Sequence, residues 1–465
     1  MKKITLMLVA ITAALTSFAQ NIEGQWNGIL KIQNTQLAVV FNINKTTDGY
    51  TATMDSPNQG VKGIVVTTTS FKNAVLNLSI TNAGIEYEGT LNNGTIEGAF
   101  IQGGQSFPLN LSREKSIKEK TLRPQEPLKP YYYYVEEVTF ENKIDGITLA
   151  GTLTLPKKDG VFPVVILISG SGPQNRDEEL FGHKPFLVLS DYLTKNGIGV
   201  LRYDDRGTAL SKGNFKTATT ADFAKDADAA VQYLKSRSEV NKSKIGLIGH
   251  SEGGVIAPIV ANKSQDIRFI VLLAGTGLPG DQILLLQQEL IGRASGVSEE
   301  ELLKSKKINK GVFEIVAKST NNEKLKTDLT NYIKQAMIDI PGFEKPKEMN
   351  EDDFVKIQVN QVTGVWMQNF IKYNPAIALE KVKCPVLALN GSKDLQVPAK
   401  VNLEAISKAL AKGKNKNVTI KELPNLNHLF QECKTGSPSE YASIEQTFSP
   451  IALTEVLKWI QNQTK

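Results

Sequence analysis

The sequence predicts an α/β chain in which a small all-β domain precedes a main domain built on a mostly parallel sheet. Strand-like and helix-like runs alternate from residue 135 to residue 280, as in parallel strands joined by crossover helices. A helix-only stretch, residues 281–383, interrupts this alternation. Short runs rich in β-branched residues, separated by turn signals, fill residues 22–112. We therefore expect a small barrel or sandwich, then a sheet with helices on both faces and a helical cap insertion.

The composition is that of an ordinary globular protein. The chain has 465 residues, of which 41% are hydrophobic and 22% charged. Basic residues outnumber acidic ones by 54 to 48, and they are spread along the chain rather than clustered. A nucleic-acid partner is therefore not expected.

The N-terminus, residues 1–19, has the pattern of a cleavable signal peptide. Lys2 and Lys3 precede an apolar run over residues 4–15, and residues 17–19 form a small-residue cleavage site before Gln20. The apolar run is too short to cross a bilayer, which takes about 20 residues. We expect a periplasmic or secreted protein without a membrane span.

The predicted all-β domain, residues 22–112, is followed by a linker. Residues 113–130 are rich in Lys and Pro and poor in apolar residues. Trp26, in a Gly-Gln-Trp sequence, loosely resembles the opening of lipocalin-type barrels, and a simple core role is an equally open interpretation. The clearest predicted strands of this domain are 37–43, 63–69 and 85–91.

The predicted main domain, residues 131–465, contains regularly spaced buried strands. A run of tyrosines at its start, residues 131–134, reads as an edge strand. In the predicted cap, one helix starts at Asn350 and carries an apolar stripe to Tyr373, which we expect to pack mainly against the main domain. The other predicted strands lie near 135–141, 147–155, 163–169, 198–203, 244–249 and 269–274, with helices near 180–196 and 220–237 and after Ser449.

The most informative motif is Gly-His-Ser-Glu-Gly-Gly, residues 249–254. It joins a strand-like run, 244–249, to a helix-like run, 255–262. A serine at a sharp strand-to-helix turn is held clear of the backbone, and the glycines tolerate the crowding. This context predicts Ser251 as a nucleophile.

Two later loops supply an acid and a base in the order that α/β-hydrolases use. Asp394 follows a buried-strand pattern at 385–391, and His428 follows another at 418–423. The sequence therefore predicts an α/β-hydrolase fold with the catalytic residues Ser251, Asp394 and His428.

The alternatives to these assignments are few. The chain has three histidines, of which His183 precedes the nucleophile and His250 occupies the variable position of its motif. We expect a structural role for His183. Asp281, after the sixth strand, stays open as an alternative acid to Asp394.

The tetrahedral oxyanion needs two fixed donors. We predict the backbone N–H groups of Glu252, just after the nucleophile, and of Ser171, in the Gly-rich loop after the third strand. Gly170 and Gly172 would let this loop approach the substrate. From the cap, Trp366 and Phe370 are candidate substrate contacts.

Other polar clusters read as structural. The turn at 204–207, Asp-Asp-Arg-Gly, is expected to be a salt-bridged scaffold. No His, Cys or carboxylate group has metal-ligand spacing, so no metal or cofactor is expected. Cys384 and Cys433 should lie at opposite ends of the sheet, about 20 Å apart, and are expected to be free, mostly buried thiols.

Several of these runs together resemble a bacterial branch of α/β-hydrolases, described as esterase D-type or serine aminopeptidase-like hydrolases. The resemblance spans about residues 135–465 and implies the same triad. It departs from the family at residues 208–211, where a Gly and a basic residue are usual, and this puts substrate preference in doubt. The runs that carry the resemblance are 168–177, 201–207, 248–254, 389–394 and 427–430.

These observations predict a secreted carboxylic ester hydrolase that acts on a small acyl ester through an acyl-enzyme intermediate. The alternative is an aminopeptidase-like serine peptidase acting on short peptides, which needs a carboxylate in the cap pocket to bind the substrate ammonium. A non-catalytic binding protein built around the β domain is a third hypothesis. The cap carboxylates that sequence offers for the second hypothesis include Glu299, Glu300, Glu301, Glu344 and Glu348.

Overall fold

The computed structural model describes residues 21–32, 35–57, 61–102, 105–114, 123–340 and 350–465. The predicted signal peptide lies outside the described residues, as does the middle of the predicted linker. Within the described ranges the strands form two separate sheets.

The N-terminal sheet is antiparallel and curls on itself. Its strand order is β4-β3-β2-β1-β10-β8-β7-β6-β5, with β9 paired to β8. The edge strands β4 and β5 are consecutive in the chain, and between them Val66 N–H donates to Ala52 of β3 while Thr67 N–H donates to Ser79 of β6. The strands are β1 Gly24–Ile32, β2 Thr35–Thr46, β3 Gly49–Ser56, β4 Val61–Val65, β5 Thr68–Lys72, β6 Val75–Ile80, β7 Ile85–Asn92, β8 Thr95–Gln102, β9 Gln105–Pro108 and β10 Leu111–Ser112.

This change of partner corrects one sequence prediction. The run 63–69 was expected to be a single strand, but it contains the end of β4, a break at Val66 and Thr67, and the start of β5. The β-branched residues favour an extended chain on both sides of the break. The chain changes its hydrogen-bonding partner from β3 to β6 at this break, and local β-propensity does not specify that change.

Trp26 is a core residue of the N-terminal domain. Its side chain is 1% exposed, and its indole N–H donates to the carbonyl of Ile22 at 2.8 Å. The Arg113 guanidinium covers the ring at 4.1 Å from its centroid, a cation–π contact. Phe41 and Tyr87 pack beside it in the same apolar cluster. These contacts account for Trp26 by packing alone.

The second sheet is the mixed, mostly parallel sheet of the main domain. Its order is β11-β12-β14-β13-β15-β16-β17-β18; β11 and β12 are antiparallel, and β13 to β18 run parallel. The edge strand begins at Tyr134, whereas Tyr131 and Tyr133 stack on each other before it. The strands are β11 Tyr134–Asn142, β12 Ile147–Leu155, β13 Phe162–Ile168, β14 Gly199–Tyr203, β15 Val240–His250, β16 Ile267–Leu273, β17 Val386–Gly391 and β18 Val418–Leu423.

Helices cover both faces of this sheet, as in the α/β-hydrolase fold. One apolar cluster joins one face to the helices α2, α3 and α10, and a second joins the other face to α1 and α11. The predicted helix near 180–196 begins only at Pro185, because residues 180–183 form a tight turn first. The helices are α1 Pro185–Lys195, α2 Thr220–Ser236, α3 Gly253–Lys263, α10 Ala399–Lys412 and α11 Pro450–Gln463.

The cap is a helical insertion between β16 and β17. The helix expected from Asn350 to Tyr373 is two helices, since the chain is extended at Gly364 with ψ of 143°. Val355 and Val359, before this break, pack inside the cap, whereas Phe370, after it, packs toward Val397 of the main domain. The break thus turns the second half of the apolar stripe toward the main domain. The cap helices are α4 Gly280–Ala294, α5 Glu299–Lys318, α6 Asn322–Asp339, α7 Glu351–Thr363, α8 Val365–Lys372 and α9 Ala376–Leu379.

The turn after β14 is an ion-paired scaffold, as expected. Arg206 binds the buried Asp226 of α2 through two nitrogens, at 2.6 and 2.8 Å, and Asp204 pairs with Arg176 at 2.7 Å. These pairs fix the turn against α2 and against the loop that follows β13. Asp205, between Asp204 and Arg206 in the chain, instead hydrogen-bonds the loop that follows β13.

Both cysteines are unpaired. Cys384 precedes β17 and Cys433 follows the loop after β18, and each is half-buried rather than mostly buried. Burial raises the pKa of each thiol to about 11. Among the described residues, no helix is long and apolar enough to cross a membrane.

His183 holds the turn before α1 to the C-terminal part of the chain. Its Nδ1 lies 3.0 Å from Thr447 Oγ1 and its Nε2 lies 2.9 Å from the carbonyl of Tyr441. The ring is fully buried, and this burial lowers its pKa to about 4. His183 is therefore neutral in the folded protein at physiological pH.

This burial makes stability depend on pH. The unfolded chain binds a proton at His183 below about pH 6.5, whereas the folded chain does not do so until about pH 4. Stability is therefore lost as the pH falls, by about 2 kcal/mol between pH 7 and pH 5. Urea denaturation at the two pH values should show a smaller loss for His183→Gln than for the wild type. Equal losses in the two proteins would contradict the assignment.

Candidate active site

Ser251 lies at the sharp turn between β15 and α3. Its φ is +52°, a left-handed backbone conformation that residues other than Gly rarely adopt. Its N–H donates to the carbonyl of Leu273 at 2.8 Å. A Cβ at Gly249 would lie 2.0 Å from the carbonyl oxygen of Gly253, and a Cβ at Gly253 would lie 2.1 Å from that of Ile168. The turn can be this tight only because both positions are Gly.

The structure brings Ser251, His428 and Asp394 together. His428 Nε2 lies 3.1 Å from Ser251 Oγ, and His428 Nδ1 lies 2.8 Å from Asp394 Oδ2. The three residues follow β15, β18 and β17, whose carboxyl ends share one edge of the sheet. This geometry allows His428 to take the hydroxyl proton while Asp394 holds its ring in one orientation.

Asp394, rather than Asp281, occupies the position of the acid. Its Oδ1 accepts the N–H groups of Gln396 and Val397, both at 2.8 Å, which leaves Oδ2 directed at His428. Asp281 lies in the first turn of α4, where its carboxylate accepts the N–H of Gln282.

The loop after β13 lies across from the serine turn. Ser171 and Glu252 both line the cavity above Ser251, and in the described part of the chain neither backbone N–H has a protein acceptor. Gly170 also lines the cavity and lies against the serine, because a Cβ there would be 3.1 Å from Ser251 Cβ. Two unsatisfied N–H groups beside a serine can stabilise an oxyanion.

The prediction for Gly172 needs correction, whereas Gly170 does line the cavity. The N–H of Gly170 donates to Glu178 Oε1 at 2.7 Å, so it is not available to a substrate. Gly172, expected to contact substrate, is not among the residues that line the cavity; its φ of +96° turns the chain away after Ser171.

Asp205 anchors both ends of this loop. Its carboxylate accepts the hydroxyl of Ser169 at 2.7 Å and the N–H of Gln174 at 2.9 Å. Burial raises the pKa of Asp205 well above its ordinary value, and these two hydrogen bonds oppose the shift. The sequence placed this residue in a structural turn and offered no signal that it reaches the site.

The side chain of Glu252 is a second buried anchor. Its Oε1 accepts the hydroxyl of Thr220 at 2.6 Å and the indole N–H of Trp366 at 2.8 Å. The Ser171 hydroxyl also hydrogen-bonds this carboxyl group, whose pKa is raised by burial. One carboxyl group thus joins α2, the cap and the loop after β13 beside the serine. Sequence reasoning had assigned only the backbone of Glu252.

The cavity above Ser251 has a volume of about 310 Å³ and is lined mainly by apolar side chains. Trp366 and Phe370, predicted as substrate contacts, both line it, with their rings stacked at 4.9 Å. Three glutamines, Gln174, Gln287 and Gln396, add neutral polar groups. The remaining apolar lining residues are Leu180, Ile283, Leu284, Met367, Val397 and Leu429.

His250 and Glu178 form a buried pair next to this site. His250 Nδ1 lies 2.9 Å from Glu178 Oε1, and the His250 and His428 ring centroids are 4.9 Å apart. Neither side chain was predicted to serve the site. In the described residues, no cluster of three His, Cys, Asp or Glu side chains is arranged to hold a metal ion.

The bond between Trp366 and Glu252 should contribute to stability. Trp366→Phe keeps an aromatic ring against Phe370 but removes the indole N–H, so the buried carboxyl group loses a donor. We expect the free energy of unfolding in urea to fall by about 1–3 kcal/mol, the cost of removing one partner of a buried polar group.

The matched control for this variant is Trp459→Phe. The indole of Trp459 donates to the neutral hydroxyl of Thr419 at 3.1 Å, away from the site. This variant should lose about 1 kcal/mol. Equal losses in the two variants would show that the Glu252 bond has no special strength.

Comparisons with known proteins agree with this fold. A family model described as "Serine aminopeptidase, S33" matches residues 185–432, about half of the chain. Esterase EstD of Thermotoga maritima is 29% identical over 335 residues, covering 70% of this chain and 69% of that protein. An acyl transferase of Shewanella woodyi is 31% identical over 131 residues, covering 28% of this chain and 40% of that protein.

Among solved structures, the esterase Pf2001 of Pyrococcus furiosus matches with a TM-score of 0.44 and 15% identity, covering 75% of this chain and all of that one. The family match spans the strands and loops that carry Ser251, Asp394 and His428. The chain is a hydrolase of the α/β-hydrolase fold and belongs to the serine aminopeptidase (S33) family.

Proposed function

We propose that this protein is a carboxylic ester hydrolase that works through an acyl-enzyme intermediate. The observation that carries the proposal is the pair of distances at His428, 3.1 Å to Ser251 Oγ and 2.8 Å to Asp394 Oδ2. A serine becomes a nucleophile when a base within hydrogen-bond reach takes its proton and a third group orients that base.

The steps follow from this arrangement. His428 Nε2 takes the proton of Ser251 while Oγ forms a bond to the acyl carbon. The tetrahedral intermediate then collapses, and the proton passes from His428 to the leaving alcohol. Water, deprotonated by His428, attacks the acyl-enzyme, and the carboxylic acid leaves as Ser251 regains its proton. The N–H groups of Ser171 and Glu252 stabilise the oxyanion in both halves, each contributing about 3 kcal/mol.

The cavity favours an ester over a peptide with a free N-terminus. Within the described residues, the carboxylates that line it are Glu178 and Glu252, and both already bind protein donors. The cap carboxylates Glu299 and Glu300 pair with basic side chains at the surface, and Glu301 binds Ser298 at the start of α5. Glu344 and Glu348 lie outside the described residues. No unengaged carboxylate of the described cavity offers a site for a substrate ammonium.

The relatives support the same choice. One is named an esterase and matches most of this chain, whereas the family description names an aminopeptidase. A peptidase is thus the second candidate function. The pattern of residues 1–19 further supports export of the mature enzyme to the periplasm or the medium. Membership of a hydrolase family argues against the non-catalytic binding hypothesis.

Ser251→Ala should abolish ester hydrolysis. We expect kcat/KM for p-nitrophenyl butanoate to fall about 10⁴-fold or more, and covalent labelling by a fluorophosphonate to disappear. Ser190→Ala, which removes a buried serine hydroxyl in α1, should keep both ester hydrolysis and fluorophosphonate labelling. Labelling that survives in Ser251→Ala would reject Ser251 as the nucleophile.

The volume of the cavity limits the acyl group. A cavity of about 310 Å³ lies at the small end of the range for ligand pockets, so it favours a short acyl group. Across p-nitrophenyl esters, kcat/KM should peak between butanoate and octanoate and fall steeply by dodecanoate. Aminoacyl p-nitroanilides should be inert, and their hydrolysis in preference to the esters would support the peptidase instead.

The cap should set that limit. Phe370→Ala removes a ring that lines the cavity and should shift the optimum toward longer acyl chains. Leu303→Ala, at an exposed position of the cap, should leave the profile unchanged. An unchanged profile in Phe370→Ala would show that the acyl group does not occupy this cavity.

A further inference from the structure

A chain of buried hydrogen bonds links the two loops on either side of Ser251. The N–H of Gly170 donates to Glu178 Oε1 at 2.7 Å, and the same oxygen lies 2.9 Å from His250 Nδ1. At the other side of the ring, His250 Nε2 lies 2.9 Å from the carbonyl oxygen of His428. The reaction described above uses neither Glu178 nor the His250 side chain.

The partners of His250 determine its protonation. A carbonyl oxygen only accepts hydrogen bonds, and an ionised carboxylate also only accepts. Both ring nitrogens of His250 face oxygens, so an ionised Glu178 requires a hydrogen on each nitrogen, which makes the ring an imidazolium. Glu178 Oε1 lies within hydrogen-bond distance of both the N–H of Gly170 and Nδ1 of His250.

We propose that His250 is an imidazolium at neutral pH, held by Glu178, and that this pair is a positioning device for the catalytic base. The pair joins the loop of Gly170 and Ser171 to the backbone of His428. It therefore sets the distance between the oxyanion donors and the imidazole that serves Ser251. The positioning role rests on the proposed function, whereas the charge on the His250 ring does not depend on it.

The surroundings of the ring support the charge. His250 and Glu178 are 7% and 4% exposed. Burial opposes the charged form of His250, but the Glu178 carboxylate, its hydrogen bond, the carbonyl of His428 and the charge of Asp394 together raise its pKa. The Asp205 carboxyl group also lies near Glu178, but burial raises its pKa well above its ordinary value. The groups that face the ring from the neighbouring loops are therefore acceptors and acids, apart from the imidazole of His428.

The charge has a consequence at high pH. When the pH rises through the raised pKa of His250, one of its two ring nitrogens loses its hydrogen and presents a lone pair to the acceptor that faces it. Two acceptors then repel each other, and the link between the two loops opens. The contribution of the pair to stability is thus present at neutral pH and is lost as the pH rises. Activity should be lost over the same alkaline range.

The first experiment reads the charge directly and does not depend on activity. The chain has three histidines, so ¹⁵N-histidine labelling and long-range ¹H–¹⁵N spectra at pH 7 give three side-chain patterns. We expect an imidazolium pattern for His250 and a neutral pattern for His183, whose pKa is lowered to about 4. In Glu178→Gln, His250 should become neutral. A neutral His250 in the wild type at pH 7 would overturn the proposal.

The second experiment tests the positioning role. Glu178→Gln keeps an oxygen for the N–H of Gly170 but removes the charge, so kcat should fall about 10–100-fold with little change in KM. The fall of kcat at alkaline pH should be present in the wild type and absent from this variant. Glu178→Asp should restore part of kcat and part of its alkaline limb.

His183→Gln is the matched control, since it alters a buried histidine with two hydrogen bonds away from the site. It should keep the wild-type kcat and alkaline limb. Wild-type kcat and an unchanged alkaline limb in Glu178→Gln would overturn the positioning role. Fluorophosphonate labelling of Ser251 in each variant separates this outcome from a failure of the proposed function, because labelling reports an activated serine without requiring turnover of an ester.

Discussion

The left-handed backbone at Ser251 is the constraint on which the rest of the site depends. A chain that leaves β15 and enters α3 within two residues can present a side chain at the edge of the sheet only if the flanking residues lack Cβ atoms. At Gly249 and Gly253 any Cβ would overlap a backbone carbonyl. The strain at Ser251 is stabilised by packing on both sides, and this places Oγ where the loops after β17 and β18 deliver Asp394 and His428.

Buried carboxyl groups hold the surrounding loops in register. Asp205 binds both ends of the loop after β13, Glu178 binds its middle, Glu252 binds the cap, and Asp394 binds the base. A buried carboxylate is costly unless it accepts hydrogen bonds, and each of these groups has at least two donors or hydrogen-bond partners. The donors of Glu178, Glu252 and Asp394 come from different segments, whereas Asp205 joins two ends of one loop, so losing any of these groups disturbs the spacing around Ser251. Precise spacing of the loops thus rests on polar contacts and not on apolar packing alone.

Much of the fold could be predicted from local patterns. β12 and β18 have the bounds that alternation and turn signals indicated, and the helical cap lies between β16 and β17. The errors occur where a tertiary contact overrides a local preference. The strand is interrupted at Val66 because the chain changes strand partners there. The cap helix is interrupted at Gly364 because the first half of the apolar stripe packs inside the cap and the second half packs toward the main domain.

The sequence by itself determined which residues we propose for the chemistry. The motif around Ser251 is local, and the order of Asp394 and His428 after their strands is a property of the chain. Only the tertiary structure decided which acid faces the base and what the side chains of Glu178, His250 and Glu252 do. Their partners lie far away along the chain, 72 residues apart for Glu178 and His250 and 114 for Glu252 and Trp366. No local pattern encodes such contacts, because they exist only once the sheet has brought its loops to one edge.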